Sequence, residues 1–177
     1  MTKLILLIGL PGSGKSYLAS KLLAECPKSQ LISTDSIRSQ LFGSEAVQGS
    51  WLLVWRQVQR QFQQAVAHSP LAIYDATNAV RTQRKEAIAL ARATGFTYIT
   101  GLWLDTPLQL CLERNRRRER IVPDEVILRM HSCLRDAPPT LQDGLDYLIY
   151  SSSVRCGNCD RTCEKEPNSI KLMALLP

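Results

Sequence analysis

The amino-acid sequence predicts an α/β fold in which a parallel, five-stranded sheet is covered by helices on both faces. Apolar runs with β-branched and aromatic residues alternate along the chain with segments whose apolar residues recur at helical spacing. This alternation is typical of parallel sheets. A glycine-rich loop also follows the first predicted strand and leads into the first predicted helix, which is a position where such folds bind phosphate.

The predicted elements follow one another closely. Strands are expected over residues 4–8, 31–34, 71–74, 98–104 and 147–150. Helices are expected over residues 15–25, 50–67, 81–93, 107–118 and 124–134, and a further short helix is closed by Gly43. Gly95 is expected to end a helix, Thr106 and Pro107 to begin one, and Pro123 to divide an arginine-rich segment into two helices.

The glycine-rich loop has the pattern G-x-x-x-x-G-K-S of a phosphate-binding P-loop. Its expected nucleotide-binding residues are Gly9, Pro11, Gly12, Ser13, Gly14, Lys15, Ser16 and Tyr17. Backbone N–H groups of the loop and of the first helical turn cradle a polyphosphate. Lys15 is expected to reach the β- and γ-phosphates and the Ser16 hydroxyl to bind Mg²⁺. A Rossmann dinucleotide site is excluded, because its glycine spacing from Gly12 would require glycine where Tyr17 stands.

Length, composition and charge are those of a globular protein with a basic segment. The chain has 177 residues, 45% of them hydrophobic, and a formal net charge of +6. No apolar run approaches the ~18 residues of a membrane span, and the first run is too short for a signal-peptide core. We therefore expect a cytoplasmic protein with no membrane partner. Residues 114–120, here called the arginine segment, carry five arginines and attract phosphate groups.

Three further positions are candidates for phosphoryl-transfer chemistry. Asp35 follows the second strand, and Arg38 lies on the same helix face three residues later. The aspartate can accept the proton of an attacking hydroxyl, and the arginine can hold an anionic acceptor. A helix-capping aspartate and a surface arginine are the alternative. Asp75 ends the third strand, as the acidic residue of a Walker B motif does.

These residues together resemble the P-loop kinases of the phage and bacterial polynucleotide 5′-hydroxyl kinase family, over roughly residues 3–150. The resemblance implies a P-loop NTPase fold with an arginine-rich lid, ATP and Mg²⁺ as cofactors, and the 5′ end of DNA or RNA as acceptor. Asp35 would be the general base and Arg38 would hold the acceptor phosphate. Lys15 and Arg118 would stabilise the transferred phosphoryl group. The other implied residues are Arg114 and Arg117 in the lid, Asn78 in support, and Asp75, which would support the site either through Mg²⁺ or by orienting Arg38.

The same resemblance leaves other functions open. Zeta-toxin-like and small-metabolite kinases share the arrangement, so the acceptor can instead be a small metabolite or nucleotide sugar. A regulatory ATPase or nucleotide-binding module without an acceptor is a second alternative. Residues 1–150 are expected to form the P-loop kinase domain, and residues 151–177 a cysteine-containing appendage.

Two remaining patterns favour structural roles. Cys156, Cys159 and Cys163 lack a fourth ligand in the tail. We therefore expect them neither to bind a metal nor to act in catalysis, and a zinc site and a redox pair are the alternatives. The helix over residues 50–67 carries Trp51 and Trp55 in an apolar stripe. A stripe at this spacing favours core packing over stacking on bases.

Overall fold

A five-stranded parallel sheet forms the centre of the protein in the computed structural model, which describes residues 2–47 and 49–152. The strands are β1 (Lys3–Ile8), β2 (Gln30–Ser33), β3 (Leu71–Asp75), β4 (Tyr98–Asp105) and β5 (Tyr147–Ser152). They are arranged in the order β2-β3-β1-β4-β5, and every neighbouring pair is parallel. The fold class expected from the sequence is confirmed.

Helices connect the strands and cover the sheet. They are α1 (Lys15–Glu25), α2 (Thr34–Phe42), α3 (Trp51–His68), α4 (Arg81–Thr94), α5 (Leu108–Arg116) and α6 (Asp124–Asp136). A 3-10 turn at Leu141–Asp143 precedes β5. The helix expected over residues 107–118 ends earlier, at Arg116, so residues 117–123 form a loop. In the described ranges, no helix combines the length and the apolar character needed to cross a bilayer.

The central strand β1 shows why the sheet needs helices on both faces. Leu4, Leu6 and Ile8 pack into one core and are buried there. Ile5 and Leu7 point to the opposite face and pack with the apolar side of α1. Successive strand residues alternate between faces, so a strand buried on both sides must be apolar throughout.

Helix α3 contributes to the larger core through only part of its apolar stripe. Val54, Val58 and Phe62 are completely buried. Phe62 makes edge-to-face contacts with Tyr74 and Phe96, at ring-centroid distances of 5.4 and 5.3 Å. Trp51, at the start of the helix, remains 45% exposed. The core assignment was therefore correct for most of the stripe and wrong for Trp51.

The candidate residues lie at one edge of this architecture. The P-loop follows β1, Asp35 follows β2 and Asp75 ends β3. The strands are parallel, so these positions meet at the carboxyl edge, where ligands bind in open α/β sheets. The appendage expected from residue 151 and its three cysteines falls almost wholly outside the described residues, of which only the end of β5 reaches it.

Candidate active site

The P-loop is packed so closely that two of its glycines leave no room for a side chain. Gly9 has φ +152°, and an added Cβ would lie 2.8 Å from the carbonyl oxygen of Leu104. Gly12 has φ +80°, and its Cβ would lie 2.4 Å from the carbonyl oxygen of Cys111. The positive φ values disfavour other residues independently of this crowding. The loop is thus held between the end of β4 and helix α5.

Lys15 begins α1 and its side chain is buried against the loop. Its Nζ donates hydrogen bonds to the carbonyl oxygen of Leu10 at 2.7 Å and to Ser13 Oγ at 3.4 Å. Burial lowers the pKa of Lys15 to about 8, although the negative charge of Asp75 opposes this shift. The ammonium group is therefore poorly solvated, and an anion brought into the loop would favour its charged form.

Ser16, the last residue of the P-loop, and Asp75 bring a hydroxyl and a carboxylate together. Asp75 is 8% exposed, and its carboxylate accepts a hydrogen bond from the Ser16 side chain. Burial raises the pKa of Asp75, and the Ser16 hydrogen bond and the Lys15 charge act in the opposite direction. A hydroxyl and a carboxylate suit Mg²⁺, which commonly takes one or two protein ligands together with water and substrate phosphates.

Asp35 faces two arginines from different parts of the chain. Oδ1 of Asp35 accepts a hydrogen bond from Arg38 Nη1 at 2.8 Å, and Arg120 Nη1 lies 2.8 Å from the same oxygen. The capping alternative for Asp35 does not apply, because the side chain of Ser33 accepts from the backbone N–H of Ser36 at this helix start. Asp35 is thus free of a capping role and half exposed in the cleft.

The arginine segment divides into inward and outward side chains. Arg114, Arg118 and Arg120 line the cleft. Arg117 is 77% exposed and pairs with Glu113 at 2.6 Å, and it does not line the cleft. The structure therefore brings Arg118, but not Arg117, near the P-loop, and the Arg118 charge acts on Lys15.

Asn115 holds the base of the loop that follows α5. Its side chain is completely buried. Nδ2 donates to the carbonyl oxygen of Val122 at 2.7 Å, and Oδ1 accepts from the Val122 backbone N–H at 3.0 Å. Both ends of the arginine loop (residues 117–123) are thereby joined. Sequence reasoning missed this residue, although an asparagine among five arginines is the signal that marks it.

Asn78 holds the segment after β3 against the strand that precedes the P-loop. It has φ +47°, and its Nδ2 donates to the carbonyl oxygen of Leu7 in β1 at 2.6 Å. Arg84 is completely buried, donates to the carbonyl oxygen of Asn78 at 2.9 Å and forms an ion pair with Asp143 at 2.9 Å. These contacts connect the segment after β3 to the strand that carries the P-loop.

Thr106 also differs from its expected role at a helix start. Pro107 is the capping residue of α5. The Thr106 hydroxyl instead donates to the carbonyl oxygen of Ser13 at 3.0 Å, in a buried position. It therefore ties the end of β4 to the P-loop.

One open cleft of about 2850 Å³ unites the candidate residues. Those that line it are Pro11, Gly12, Ser13, Gly14, Lys15, Ser16, Tyr17, Asp35, Arg38, Asp75, Asn78, Arg114 and Arg118. Of the residues expected from the sequence, Gly9 and Arg117 do not line it. The cleft joins a phosphate-binding loop to a carboxylate flanked by arginines, which is an arrangement suited to moving a phosphoryl group between two bound molecules.

A family model described as "AAA domain" matches residues 4–137. L-seryl-tRNA(Sec) kinase of Methanococcus maripaludis is 30% identical over 149 residues, covering 77% of this chain and 54% of the relative. The chain thus spans about half the length of that relative.

Solved structures show the same fold at lower identity. A chain of the Pnkp1/Rnl/Hen1 RNA repair complex has a TM-score of 0.63 at 18% identity, over 76% of this chain and 44% of that chain. Kti12 of Chaetomium thermophilum, solved with ADP-AlF3, has a TM-score of 0.61 at 17% identity, over 85% of this chain and 89% of that chain. At these identities the likeness concerns the fold alone.

Proposed function

The chain belongs to the AAA domain family, and from this premise we propose that it is an ATP-dependent kinase that phosphorylates a hydroxyl group. The observation that carries the proposal is the Asp35 carboxylate, held by two arginines in the cleft that contains the P-loop. Binding of a triphosphate alone would not require a carboxylate and paired arginines beyond the phosphate loop. A hydroxyl acceptor would use both.

In the proposed mechanism the P-loop and Lys15 bind the β- and γ-phosphates of ATP. Ser16 and Asp75 would hold Mg²⁺, which neutralises phosphate charge during transfer. Asp35 accepts the proton of the acceptor hydroxyl while the acceptor oxygen bonds to the γ-phosphorus. The bond from that phosphorus to the β–γ bridging oxygen breaks, and ADP leaves. Arg118 stabilises the charge on the transferred group.

The acceptor that we propose is the 5′-hydroxyl end of a polynucleotide. Arg38 lies beside Asp35 at 2.8 Å, where it can hold the phosphodiester that follows a terminal nucleoside. A second candidate is the seryl hydroxyl of an aminoacylated tRNA, which is favoured by the 30% identity to L-seryl-tRNA(Sec) kinase. Both acceptors are hydroxyls at the end of a nucleic acid strand.

The test is transfer of labelled γ-phosphate from ATP in the presence of Mg²⁺. The acceptor panel contains 5′-hydroxyl DNA, 5′-hydroxyl RNA, seryl-tRNA, small metabolites and a reaction without acceptor. We expect transfer to a 5′-hydroxyl strand that falls by roughly 100-fold or more in Lys15→Ala and Asp35→Asn. Lys28→Ala, which removes an exposed lysine outside the cleft, is the matched control.

Each outcome separates the candidates. Transfer to seryl-tRNA alone would replace the 5′-hydroxyl acceptor by the second candidate. Transfer to a small metabolite alone would support the small-metabolite alternative. ATP turnover that no acceptor stimulates would support a regulatory ATPase and reject the kinase.

A further inference from the structure

Trp51 is a large aromatic side chain that folding leaves outside the core. It is the first residue of α3 and is 45% exposed, although Val54 and Val58 on the same helix are completely buried. Its ring stacks against Trp55, with centroids 5.7 Å apart and an interplanar angle of 28°. Both rings line the cleft that contains Lys15. The pair therefore forms an aromatic surface inside the candidate active site.

This surface is connected to the proposed base through one guanidinium group. The Arg38 guanidinium carbon lies 6.0 Å from the Trp51 ring centroid. Nη1 of Arg38 lies 2.8 Å from Asp35 Oδ1. Trp51 and Asp35 are thus adjacent to the same arginine, and a single bound molecule can reach both.

Arg38 also retains an unused donor. Its side chain is 15% exposed, and its Nε is buried without a hydrogen-bond partner within residues 2–47 and 49–152. That nitrogen is closed to the cleft, but Arg38 itself lines the cleft, so its positive charge is available to a bound anion. The neighbouring groups are then a flat ring, a cation suited to phosphate and a carboxylate suited to a hydroxyl proton. A nucleotide carries the three complementary groups, which are a flat base, a phosphate and a sugar hydroxyl. Its base and its hydroxyl are separated by only one sugar, so both can be bound at once.

We propose that Trp51, supported by Trp55, is the stacking surface for the nucleobase next to the acceptor hydroxyl. The inference rests on the proposed function and adds the surface that would recognise the terminal base of its 5′-hydroxyl acceptor. Bases of any sequence have a π-face, so stacking provides affinity without strong sequence preference. A sugar or another non-aromatic metabolite would gain nothing from this surface.

The experiment measures binding separately from transfer. A 3′-labelled 5′-hydroxyl oligonucleotide is titrated with the full chain without nucleotide, and anisotropy gives Kd. The same strand with an abasic sugar at its 5′ end is the matched ligand. The protein variants are Trp51→Ala, Trp51→Phe, which retains a ring, and Leu52→Ala. Leu52 is 55% exposed on the same helix turn and does not line the cleft.

We expect Trp51→Ala to weaken binding of the base-bearing strand by about tenfold or more. The affinity of Trp51→Phe for the base-bearing strand should lie between those of wild type and Trp51→Ala. The abasic strand should bind wild type and Trp51→Ala equally. Leu52→Ala should bind as wild type does. If Trp51→Ala fails to fold, the comparison of the two strands on wild type and on Trp51→Phe carries the test.

Three results would overturn the inference: no binding of the base-bearing strand, equal binding of both strands to wild type, or equal losses in Trp51→Ala and Leu52→Ala. Base-dependent binding through Trp51 without phosphate transfer would support the stacking surface and reject the kinase proposal. Transfer that is indifferent to the terminal base would support the kinase and reject the stacking surface.

Discussion

Arg120 Nη1 lies 2.8 Å from Asp35 Oδ1, although 85 positions separate the two residues in the sequence. The arginine loop therefore reaches across the cleft to the end of β2. Arg120 also lies 3.8 Å from Glu45. Its side chain is 24% exposed, so these contacts are partly shielded from solvent. The contacts of Arg120 with Asp35 and Glu45 anchor the arginine loop on the acceptor side of the site. The loop begins on the other side, at the end of α5.

Arg120→Ala should lower kcat by roughly tenfold with little change in thermal stability. A partly exposed ion pair contributes only about 0.2–1 kcal/mol to folding, whereas loss of the anchor leaves the loop arginines less well positioned over the triphosphate. Steady-state kinetics and a melting curve measure the two effects. Arg116→Ala, which breaks the outward pair with Asp124, is the control and should retain wild-type kcat. Equal kcat values in the two variants would contradict the anchor.

Arg118→Ala should reduce kcat far more than Arg117→Ala. Arg118 lines the cleft and its charge acts on Lys15, whereas Arg117 points outward to Glu113. An arginine that stabilises the transferred phosphoryl group typically contributes a factor of about 10³–10⁵. Single-turnover transfer measured at saturating ATP separates this effect from nucleotide binding. A larger loss in Arg117→Ala would reverse the assignment of the two arginines.

Nucleotide affinity should depend on pH through Lys15. Burial lowers the pKa of Lys15 to about 8, so the amine loses its proton above that pH in the nucleotide-free protein. A bound triphosphate favours the ammonium form, and binding must then take up a proton. The Kd of a non-hydrolysable ATP analogue with Mg²⁺ should therefore rise above about pH 8, by at most about tenfold per pH unit.

Lys15→Arg provides the control for this pH dependence. Arginine keeps its charge throughout the accessible range, so the Kd of the variant should stay nearly constant between about pH 7 and 10, even if its absolute affinity is lower. Calorimetry in buffers of different ionisation enthalpy measures the proton uptake directly. A pH profile that is the same in both proteins would show that another group titrates.

The sequence predicted the sheet well because each strand is a local signal. All five strands lie within two residues of their expected ends. Burial on both faces makes β1 and β3 nearly continuous apolar runs, whereas the edge strands β2 and β5 are only partly buried. The arginine segment was less predictable. Arginine favours helix, yet α5 ends at Arg116 because Asn115 binds the backbone of Val122, a contact that no helical periodicity encodes.

The residues of the candidate site likewise fall into those that the sequence predicts and those that it does not. The P-loop, Asp35 and Asp75 lie at or just after strand ends, and Arg38 lies one turn further along α2. Parallel topology is enough to bring them together. Arg120 and Trp51 arrive from a loop and from the exposed start of a helix. Their places depend on tertiary packing between distant segments, which a single sequence does not specify through spacing.

The buried ion pair between Arg84 and Asp143 should be important for folding rather than for catalysis. Both side chains are completely buried and 2.9 Å apart, and Arg84 also donates to the carbonyl oxygen of Asn78. Removing one partner of such a pair leaves an uncompensated charge, which costs about 3–5 kcal/mol. Arg84→Ala and Asp143→Ala should therefore each reduce the free energy of unfolding by this amount in urea denaturation. Arg81→Ala removes the other, 44% exposed partner of Asp143 and should cost at most about 1 kcal/mol.

The pH dependence of stability gives a second test of the same pair. Burial acts to raise the pKa of Asp143, but hydrogen bonds from Arg81 and Arg84 outweigh it and hold the pKa below the usual 3.8. The unfolded state then binds the proton first, so the contribution is fully present above about pH 4 and is lost as the pH falls through the native pKa. A double variant, Arg84→Met with Asp143→Leu, removes both charges and should recover much of the stability lost by either single change. Its unfolding free energy should also fall less steeply in acid than that of wild type, because this titration is gone. If the double variant were as acid-sensitive as wild type, other carboxylates would account for the loss of stability in acid.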